Sequence, residues 1–230
     1  PTRWHRLVGP SGVWMTDLPI EQAQHDALLW PVSWGRTVLV GGLGLGLAAT
    51  ILARRKKVKK LIVVERSKDV IDLVWPYLLI DDPAARSKVE VVHADLFAYL
   101  AERKAREWEF DWAFFDIWQG DGVTTFFDTV VPLRRAAEGI VRDDRVLCWN
   151  ENVMRGQLVM HLIGAVNAAR LSMTQRFDPW TVPFWRWAQD VAHDYDRIEK
   201  MIATYCRTVG MAQHEALWAS AVEDEARRAA

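Results

Sequence analysis

Short apolar runs alternate with segments of helical periodicity between Arg36 and Asn150, and this alternation constrains the fold more than any other feature of the sequence. The runs are continuously apolar, which is typical of strands that are covered on both faces in a parallel sheet. The pattern predicts an α/β fold with a doubly wound, Rossmann-like parallel sheet. The predicted strands are Thr37–Val40, Leu61–Val64, Val89–Val92, Trp112–Phe115 and Val146–Trp149. The predicted helices between them are Leu45–Lys57, Ser67–Leu79, Leu96–Arg106 and Phe126–Glu138.

The segments on either side of this pattern differ from it. Two short extended stretches flank the turn sequence Gly9–Gly12, which predicts a β-hairpin, and Asp17 follows where it can cap a short helix. After Asn150 the alternation stops and helical periodicity dominates, first over Asn152–Leu171. The predicted domains are an N-terminal hairpin and helix over 1–35, a Rossmann-like domain over 36–150 and a helical C-terminal extension over 151–230.

The charge, the cysteines and the apolar runs of the sequence give no strong signal for a nucleic-acid, metal or membrane partner. A formal net charge of -1 gives no strong signal for a nucleic acid, and the basic run Arg54–Lys60 follows an apolar helical stretch, where cations complement the helix dipole. The two cysteines, Cys148 and Cys206, form no metal or redox motif. No apolar run is long enough to span a bilayer and no signal peptide is visible, so we predict a cytoplasmic protein without a membrane partner.

A glycine-rich turn follows the first predicted strand. Gly42, Gly44 and Gly46 form a G-x-G-x-G pattern that opens the next helix, where free backbone N–H groups and close backbone approach favour a ligand. The dinucleotide fingerprint requires glycine or alanine where the chain has Leu47, and the absence of a Gly-Lys-Ser/Thr sequence excludes a P-loop.

Three successive strands end in an acidic residue. Glu65, Asp95 and Asp116 follow the second, third and fourth predicted strands, and ligands of open α/β sheets bind beyond the carboxyl ends of the strands. Each residue also has a structural interpretation, since Asp95 can cap the following helix and Asp116 can start a turn. Their shared position at one edge favours a ligand site.

These segments together resemble the class I S-adenosylmethionine-dependent methyltransferases, and among them the spermidine synthase-like proteins. The resemblance lies in Val38–Gly46, Val63–Glu65, Ser67–Ile71, Val92–Asp95 and Phe110–Asp116, and in the placement of the amino-terminal hairpin and helix. It implies that S-adenosylmethionine is the cofactor, with decarboxylated S-adenosylmethionine as the alternative. It also implies that Gly42, Gly44 and Gly46 line its methionine and ribose side, Glu65 binds the ribose hydroxyls, Asp95 contacts the adenine amino group and Asp116 lies near the sulfonium and the acceptor.

Two departures from that family bear on the reaction. Aminopropyltransferases carry a second aspartate three residues after the position of Asp116, whereas this chain has Gln119. The usual fold also ends in a β-hairpin, whereas only helices are predicted after Trp149. The candidates for the catalytic side of the pocket are Asp116, Trp118 and Gln119, which follow the fourth predicted strand. Trp118 either stacks on the acceptor or packs in the core.

Other candidates are weaker. Glu21 and His25 share a helix face but have no third ligand nearby, so no metal site is predicted. The sequence Asn150-Glu151-Asn152, just after the last strand, either faces the pocket or caps the next helix, and capping is favoured. The chain has 13 tryptophans, which favours pockets and interfaces, and the Trp-rich or helical surfaces of the extension are candidates for a homodimer contact.

The function predicted from the sequence is S-adenosylmethionine-dependent methyl transfer to a small or flat acceptor. Methyl transfer requires mainly that donor and nucleophile be positioned in line, with a base when the nucleophile is protonated. A non-catalytic binding module that keeps the nucleotide pocket is the first alternative, and a spermidine synthase-like aminopropyltransferase is the second.

Overall fold

The structure is a computed structural model that describes residues 4–10, 12–103, 107–122, 125–157 and 160. The chain divides into two compact units. The first contains Pro1–Gln119 and Ala136–Trp149, and the second contains Gly120–Arg135 and Asn150–Ala230. The predicted helix Asn152–Leu171 is helical over 151–157, while its remainder and the Trp-rich segment with Trp180 lie outside the described residues.

A five-stranded parallel sheet forms the centre of the first unit. Its strands are β3 (Thr37–Gly41), β4 (Lys60–Glu65), β5 (Val89–His93), β6 (Trp112–Phe115) and β7 (Val146–Cys148). They lie in the order β5-β4-β3-β6-β7, so the chain moves outward from β3 in one direction and then returns to its other side. This order is that of a doubly wound Rossmann-like sheet and confirms the predicted fold class.

Both faces of the sheet are buried, because adjacent residues of a strand point to opposite faces. On one face, Val38, Val63 and Phe114 belong to a core cluster that includes Leu29 and Leu52. Leu29 ends helix α1 (Pro19–Leu29), and Leu52 lies in α2 (Leu47–Arg54). The residues Leu39, Ile62, Val64, Ala113 and Phe115 are buried on the opposite face.

The remaining helices are shorter than predicted. Helix α3 (Lys68–Val74) ends before Pro76, which cannot donate a backbone hydrogen bond and restricts the preceding residue. A short helix that was not predicted, α4 (Pro83–Arg86), is capped by Asp82, whose carboxylate accepts from the Ala85 amide at 3.0 Å. Helix α5 spans Leu96–Ala101. The predicted helix Phe126–Glu138 begins as a π-helical segment, Phe126–Val130, and continues as α6 (Val131–Ala137).

The predicted amino-terminal hairpin consists of β1 (Arg6–Gly9) and β2 (Gly12–Thr16), paired antiparallel. The capping role predicted for Asp17 is wrong, since Leu18 occupies the N-cap of α1 without a side-chain hydrogen bond. Asp17 instead accepts from the backbone N of His5 at 2.6 Å and contacts His5 Nδ1 at 2.7 Å, which joins the two ends of the hairpin. Burial alone would raise the pKa of Asp17, but its hydrogen bonds to His5 lower that pKa below its usual value.

A buried carboxylate organises the described part of the second unit. Glu151 neither faces a ligand nor caps a helix, because its two oxygens are taken by Arg134 at 2.8–3.1 Å and Arg155 at 2.7–2.9 Å. Glu151 and Arg134 are both buried. Burial alone would raise the pKa of Glu151, but the charges and hydrogen bonds of Arg134 and then Arg155 hold that pKa below its usual value.

Replacing Glu151 by glutamine is expected to lower the free energy of unfolding by about 3–5 kcal/mol, because it removes the charge of a buried carboxylate that bonds two arginines. Asp144→Asn is the matched control. Asp144 is exposed and pairs with Arg142 at 2.9 Å, so its loss should cost at most about 1 kcal/mol. Urea titrations of the two variants measure both values. Equal, small losses would show that the buried network contributes little.

The same variant has a pH signature. The pKa of Glu151 is lower in the folded chain than its ordinary value of 4.5, so its stabilisation is complete above that pH and is lost as the pH falls through the folded pKa. The difference in stability between the wild type and Glu151→Gln should therefore be constant near neutrality and shrink below about pH 4.5. A difference that grows on acidification would contradict the assigned direction.

Candidate functional site

The glycine turn between β3 and α2 has the backbone that only glycine adopts readily. Gly42, Gly44 and Gly46 have φ of 92°, 50° and 80°, in the left-handed region. A side chain would also collide with the protein itself, since a Cβ on Gly42 would meet the carbonyl oxygen of Asp116 and one on Gly44 would meet Met15. The glycines are thus required by the packing of the turn against β6 and the hairpin, independently of any ligand.

The carboxylate of Glu65 holds this turn in place. Its Oε2 accepts from the backbone N of Leu43 at 2.9 Å, and its Oε1 accepts from the backbone N of Ser67 at 2.7 Å. Glu65 ends β4 and is half-buried. It therefore connects the loop after β3 to the loop after β4, and each oxygen retains a lone pair for a further donor.

The acids predicted at the edge of the sheet lie there in the order of their strands. Asp95 follows β5, Glu65 ends β4 and Asp116 follows β6, with the glycine turn of β3 between the last two. At a strand spacing of about 4.8 Å, Asp95 and Asp116 are about 14 Å apart along this edge. Asp95 also caps α5, because its Oδ1 accepts from the Ala98 amide at 3.1 Å. The structural role weighed for Asp95 is therefore present, and it occupies one of the two carboxylate oxygens.

The sequence indicated His25 only as a weak metal-ligand candidate with Glu21, whereas the structure places it in the lining of a cavity beside Asp116. Its ring is fully buried in α1, stacks on Trp149 at 4.0 Å between ring centres and meets Phe114 edge-on. Its Nδ1 lies 2.9 Å from the Glu21 carbonyl oxygen, which can only accept, so Nδ1 is the donor of this hydrogen bond. Nε2 lies 3.9 Å from Asp116 Oδ2.

The metal pairing weighed for Glu21 and His25 is not formed. The Glu21 carboxylate accepts from the backbone N of Thr16 at 3.1 Å and from the Thr16 hydroxyl, so it points to the hairpin rather than to the imidazole. No sequence signal identifies His25 as a partner of Asp116, because the contact joins α1 to the end of β6 through the tertiary fold.

The two other predicted catalytic residues have different environments. Trp118 is buried, with 9% of its surface exposed, and its Nε1 has no hydrogen-bond partner within the described part of the chain. Gln119 is exposed, and its Nε2 donates to the carbonyl oxygen of Val13 at 3.1 Å. Gln119 therefore connects the loop after β6 to the hairpin.

A cavity of about 450 Å³ brings most of these residues together. This volume lies within the range of about 300–1,000 Å³ that is typical of small-molecule sites. Its lining includes Gly42, Gly44, Glu65, Asp95, Asp116, Trp118 and His25, together with hairpin residues such as Trp14 and Met15. Of the residues predicted from sequence, Gly46 and Gln119 lie outside the lining. Every lining residue belongs to the first unit.

Comparisons with known proteins found similar solved structures only. No protein-family model matches the sequence, and no curated protein matches it either. Solved structures do match. A spermidine synthase in complex with the transition-state analogue AdoDATO is 22% identical, with a TM-score of 0.43, over 57% of this chain and 45% of that chain. The spermidine synthase from Thermotoga maritima is 21% identical, with a TM-score of 0.42, over 57% and 43% of the two chains.

The methyltransferase domain of bacterial CtHen1 is a third similar structure, 22% identical with a TM-score of 0.33, over 40% of this chain and 46% of that domain chain. The matched region thus spans less than half the length of each of these structures. At these identities the likeness concerns the fold and leaves the activity open.

Within the described residues, every helix is too short or too polar to cross a membrane.

Gly42→Ala is expected to destabilise the chain more than a glycine substitution that causes backbone strain alone. Gly120→Ala is the control, because Gly120 has a similar φ of 84° but no described atom within 4 Å of the point where a Cβ would stand. Backbone strain in the control should lower the free energy of unfolding by about 1–2 kcal/mol. Gly42→Ala should lower it by about 1–3 kcal/mol more, because its Cβ also collides with Asp116. Thermal unfolding measures both. Equal losses would mean that the turn can move away from Asp116.

Proposed function

We propose that the chain binds S-adenosylmethionine in this cavity and transfers its methyl group to a small or flat acceptor. The observation that carries the proposal is the convergence of Gly42, Glu65, Asp95 and Asp116 on one cavity at the carboxyl edge of a Rossmann-like sheet. A glycine turn with acids on both sides suits a ligand that has a ribose, an amine and a cationic centre.

The residues would divide the cofactor between them. Glu65 retains lone pairs on both oxygens after binding the amides of Leu43 and Ser67, and so can accept the two ribose hydroxyls. Asp95 is exposed and uses Oδ1 for the helix cap, which leaves Oδ2 for the adenine amino group. Gly42 and Gly44 line the cavity between them and Asp116, on the side of the methionine portion.

Asp116 is the group that would act on the acceptor. S-adenosylmethionine supplies an activated methyl group: the acceptor lone pair forms the new bond to the methyl carbon as the carbon–sulfur bond breaks and its electron pair stays on sulfur. Asp116 Oδ2 is a hydrogen-bond acceptor, and His25 Nε2 lies 3.9 Å from it. An O–H or N–H nucleophile there would donate to Asp116, which would take its proton.

Gln119 argues against polyamine synthesis as the activity. A side-chain amide does not accept a proton from an ammonium group, and Gln119 donates to Val13 rather than lining the cavity. An aminopropyl transfer would therefore depend on Asp116 alone. The non-catalytic alternative keeps the same cofactor contacts and differs only in turnover.

A thermal-shift series tests the cofactor. S-adenosylmethionine and S-adenosylhomocysteine, each at a hundred times its dissociation constant, should add about 2.7 kcal/mol and raise the unfolding midpoint by roughly 5–10 °C. Decarboxylated S-adenosylmethionine and NAD complete the series. A shift with the decarboxylated compound alone would favour aminopropyl transfer, and no shift with any of the four would overturn the proposal. Binding without release of labelled methyl groups to cell extracts would favour the non-catalytic module.

Glu65→Gln should weaken the binding of S-adenosylhomocysteine by about 1.5–3 kcal/mol, which is roughly 10- to 150-fold in the dissociation constant, because a charge-assisted hydrogen bond is lost. Glutamine keeps the side-chain size and one acceptor oxygen, so the glycine turn retains part of its support. Glu90→Gln is the matched control, since Glu90 is exposed on β5 and pairs with Lys60. Calorimetric titration measures both variants. Unchanged affinity in Glu65→Gln would mean that the ribose is bound elsewhere.

A further inference from the structure

Charged side chains are more numerous on one side of the cavity than on the other, as the order of the strands places them. Glu65, Asp69 and Asp95 come from β4, α3 and the end of β5, on one side of β3. Trp118 follows β6, on the other side of β3. The hairpin contributes a further wall through Leu7, Val8, Gly9, Pro10, Trp14 and Met15.

Two contacts connect the hairpin to the loops at the edge of the sheet. Gln119, in the loop after β6, donates to the carbonyl oxygen of Val13. The backbone N of Leu45, in the glycine turn after β3, lies 3.2 Å from Met15 Sδ. The bonds between Asp17 and His5 join the two ends of the hairpin. The hairpin therefore presents its side chains to the cavity as a supported element.

Trp14 has the geometry of a stacking surface. Its indole lies against Gly9, where a Cβ would stand 2.7 Å from the indole Nε1, so glycine leaves the room that the ring occupies. The side chain lines the cavity and is 44% exposed, which leaves part of the ring uncovered by protein. Trp118 lies in the same lining, with an indole N–H that has no partner among the described residues.

The charges on the side of the cavity formed by the hairpin and the loop after β6 limit which acceptors can bind there. Asp116 is the carboxylate that the loop after β6 contributes to the described lining, and the residues from the hairpin are all uncharged. A polyamine carries two or more cations, and only one of them would find a carboxylate here. Any other would have no counter-charge among the described lining residues of this side.

We infer that the acceptor is a planar, uncharged aromatic molecule with one O–H or N–H group, held with its ring against Trp14 and its donor group at Asp116. This inference rests on the proposed methyl transfer and specifies its substrate class. An aromatic ring suits the exposed indole face of Trp14. The single donor matches Asp116, the carboxylate that the loop after β6 contributes to the described lining.

Calorimetry on the full chain, saturated with S-adenosylhomocysteine, tests this inference with three probes. 2-Naphthol is planar and has one hydroxyl, decahydro-2-naphthol has the same size and hydroxyl but is not planar, and putrescine is a diamine. We expect 2-naphthol to bind at least about tenfold more tightly than its saturated analogue, and putrescine not to displace it.

Variants locate the site. Trp14→Ala should weaken 2-naphthol binding by about tenfold or more, and Trp14→Phe should recover most of it. Trp30→Ala is the control, because Trp30 is 61% exposed and lies outside the cavity lining. A cooperative thermal transition at the wild-type midpoint, measured without ligand, shows that each variant is folded.

The outcomes separate the two proposals. If S-adenosylhomocysteine binds but 2-naphthol does not, or binds Trp14→Ala equally well, the aromatic acceptor site is wrong while the cofactor site stands. Displacement of 2-naphthol by putrescine would likewise overturn the substrate class. If S-adenosylhomocysteine itself does not bind the wild type, the proposed function fails and this inference fails with it.

Discussion

The bidentate use of the Glu65 carboxylate is the interaction that holds the cavity together. One oxygen holds the glycine turn after β3 and the other holds the start of the segment that leads to α3. Parallel strands bring their carboxyl ends to one edge, but the loops there need their own restraints, because backbone amides at that edge have lost their strand partners. Glu65 supplies two such restraints from a single side chain. The same carboxylate can then serve both the protein and a ligand, so its structural and functional interpretations are compatible.

The glycine turn shows a similar dual role. A glycine-rich turn is usually interpreted as leaving room for a ligand, yet here the space beside Gly42 and Gly44 is taken by Asp116 and Met15. The turn is thereby pressed between β6 and the hairpin. Its tight packing brings Asp116 close to the turn and, through Met15, brings the hairpin wall to the cavity. Because glycine has no side chain, the glycine turn, the loop after β6 and the hairpin can approach one another closely although they are distant in sequence.

The tryptophans illustrate how composition and structure differ in what they predict. Their number, 13, indicated pockets or interfaces without saying which residues are involved. In the described chain, Trp14 and Trp118 line the cavity, and Trp149 stacks on His25. Trp30 and Trp34 are largely exposed beside Arg55 and Lys57. The same residue type therefore lines a cavity, packs on a buried imidazole or lies exposed at the surface, and only its neighbours distinguish these roles.

Local signals in the sequence were enough to predict the sheet, its parallel direction, the hairpin and the acids at the carboxyl edge. Continuous apolar runs, glycine spacing and turn residues act through neighbours along the chain, so their effect can be read without the fold. Helix ends were less predictable, and Pro76 shortened α3 although its effect could have been anticipated. Three contacts became visible only in the folded chain: that of His25 with Asp116, the pairing of Glu151 with two arginines and the attachment of Gln119 to the hairpin. Apart from the i,i+4 contact of Glu151 with Arg155, each of them joins residues of different elements. Residue spacing along one chain does not encode which distant partner a buried polar group will find.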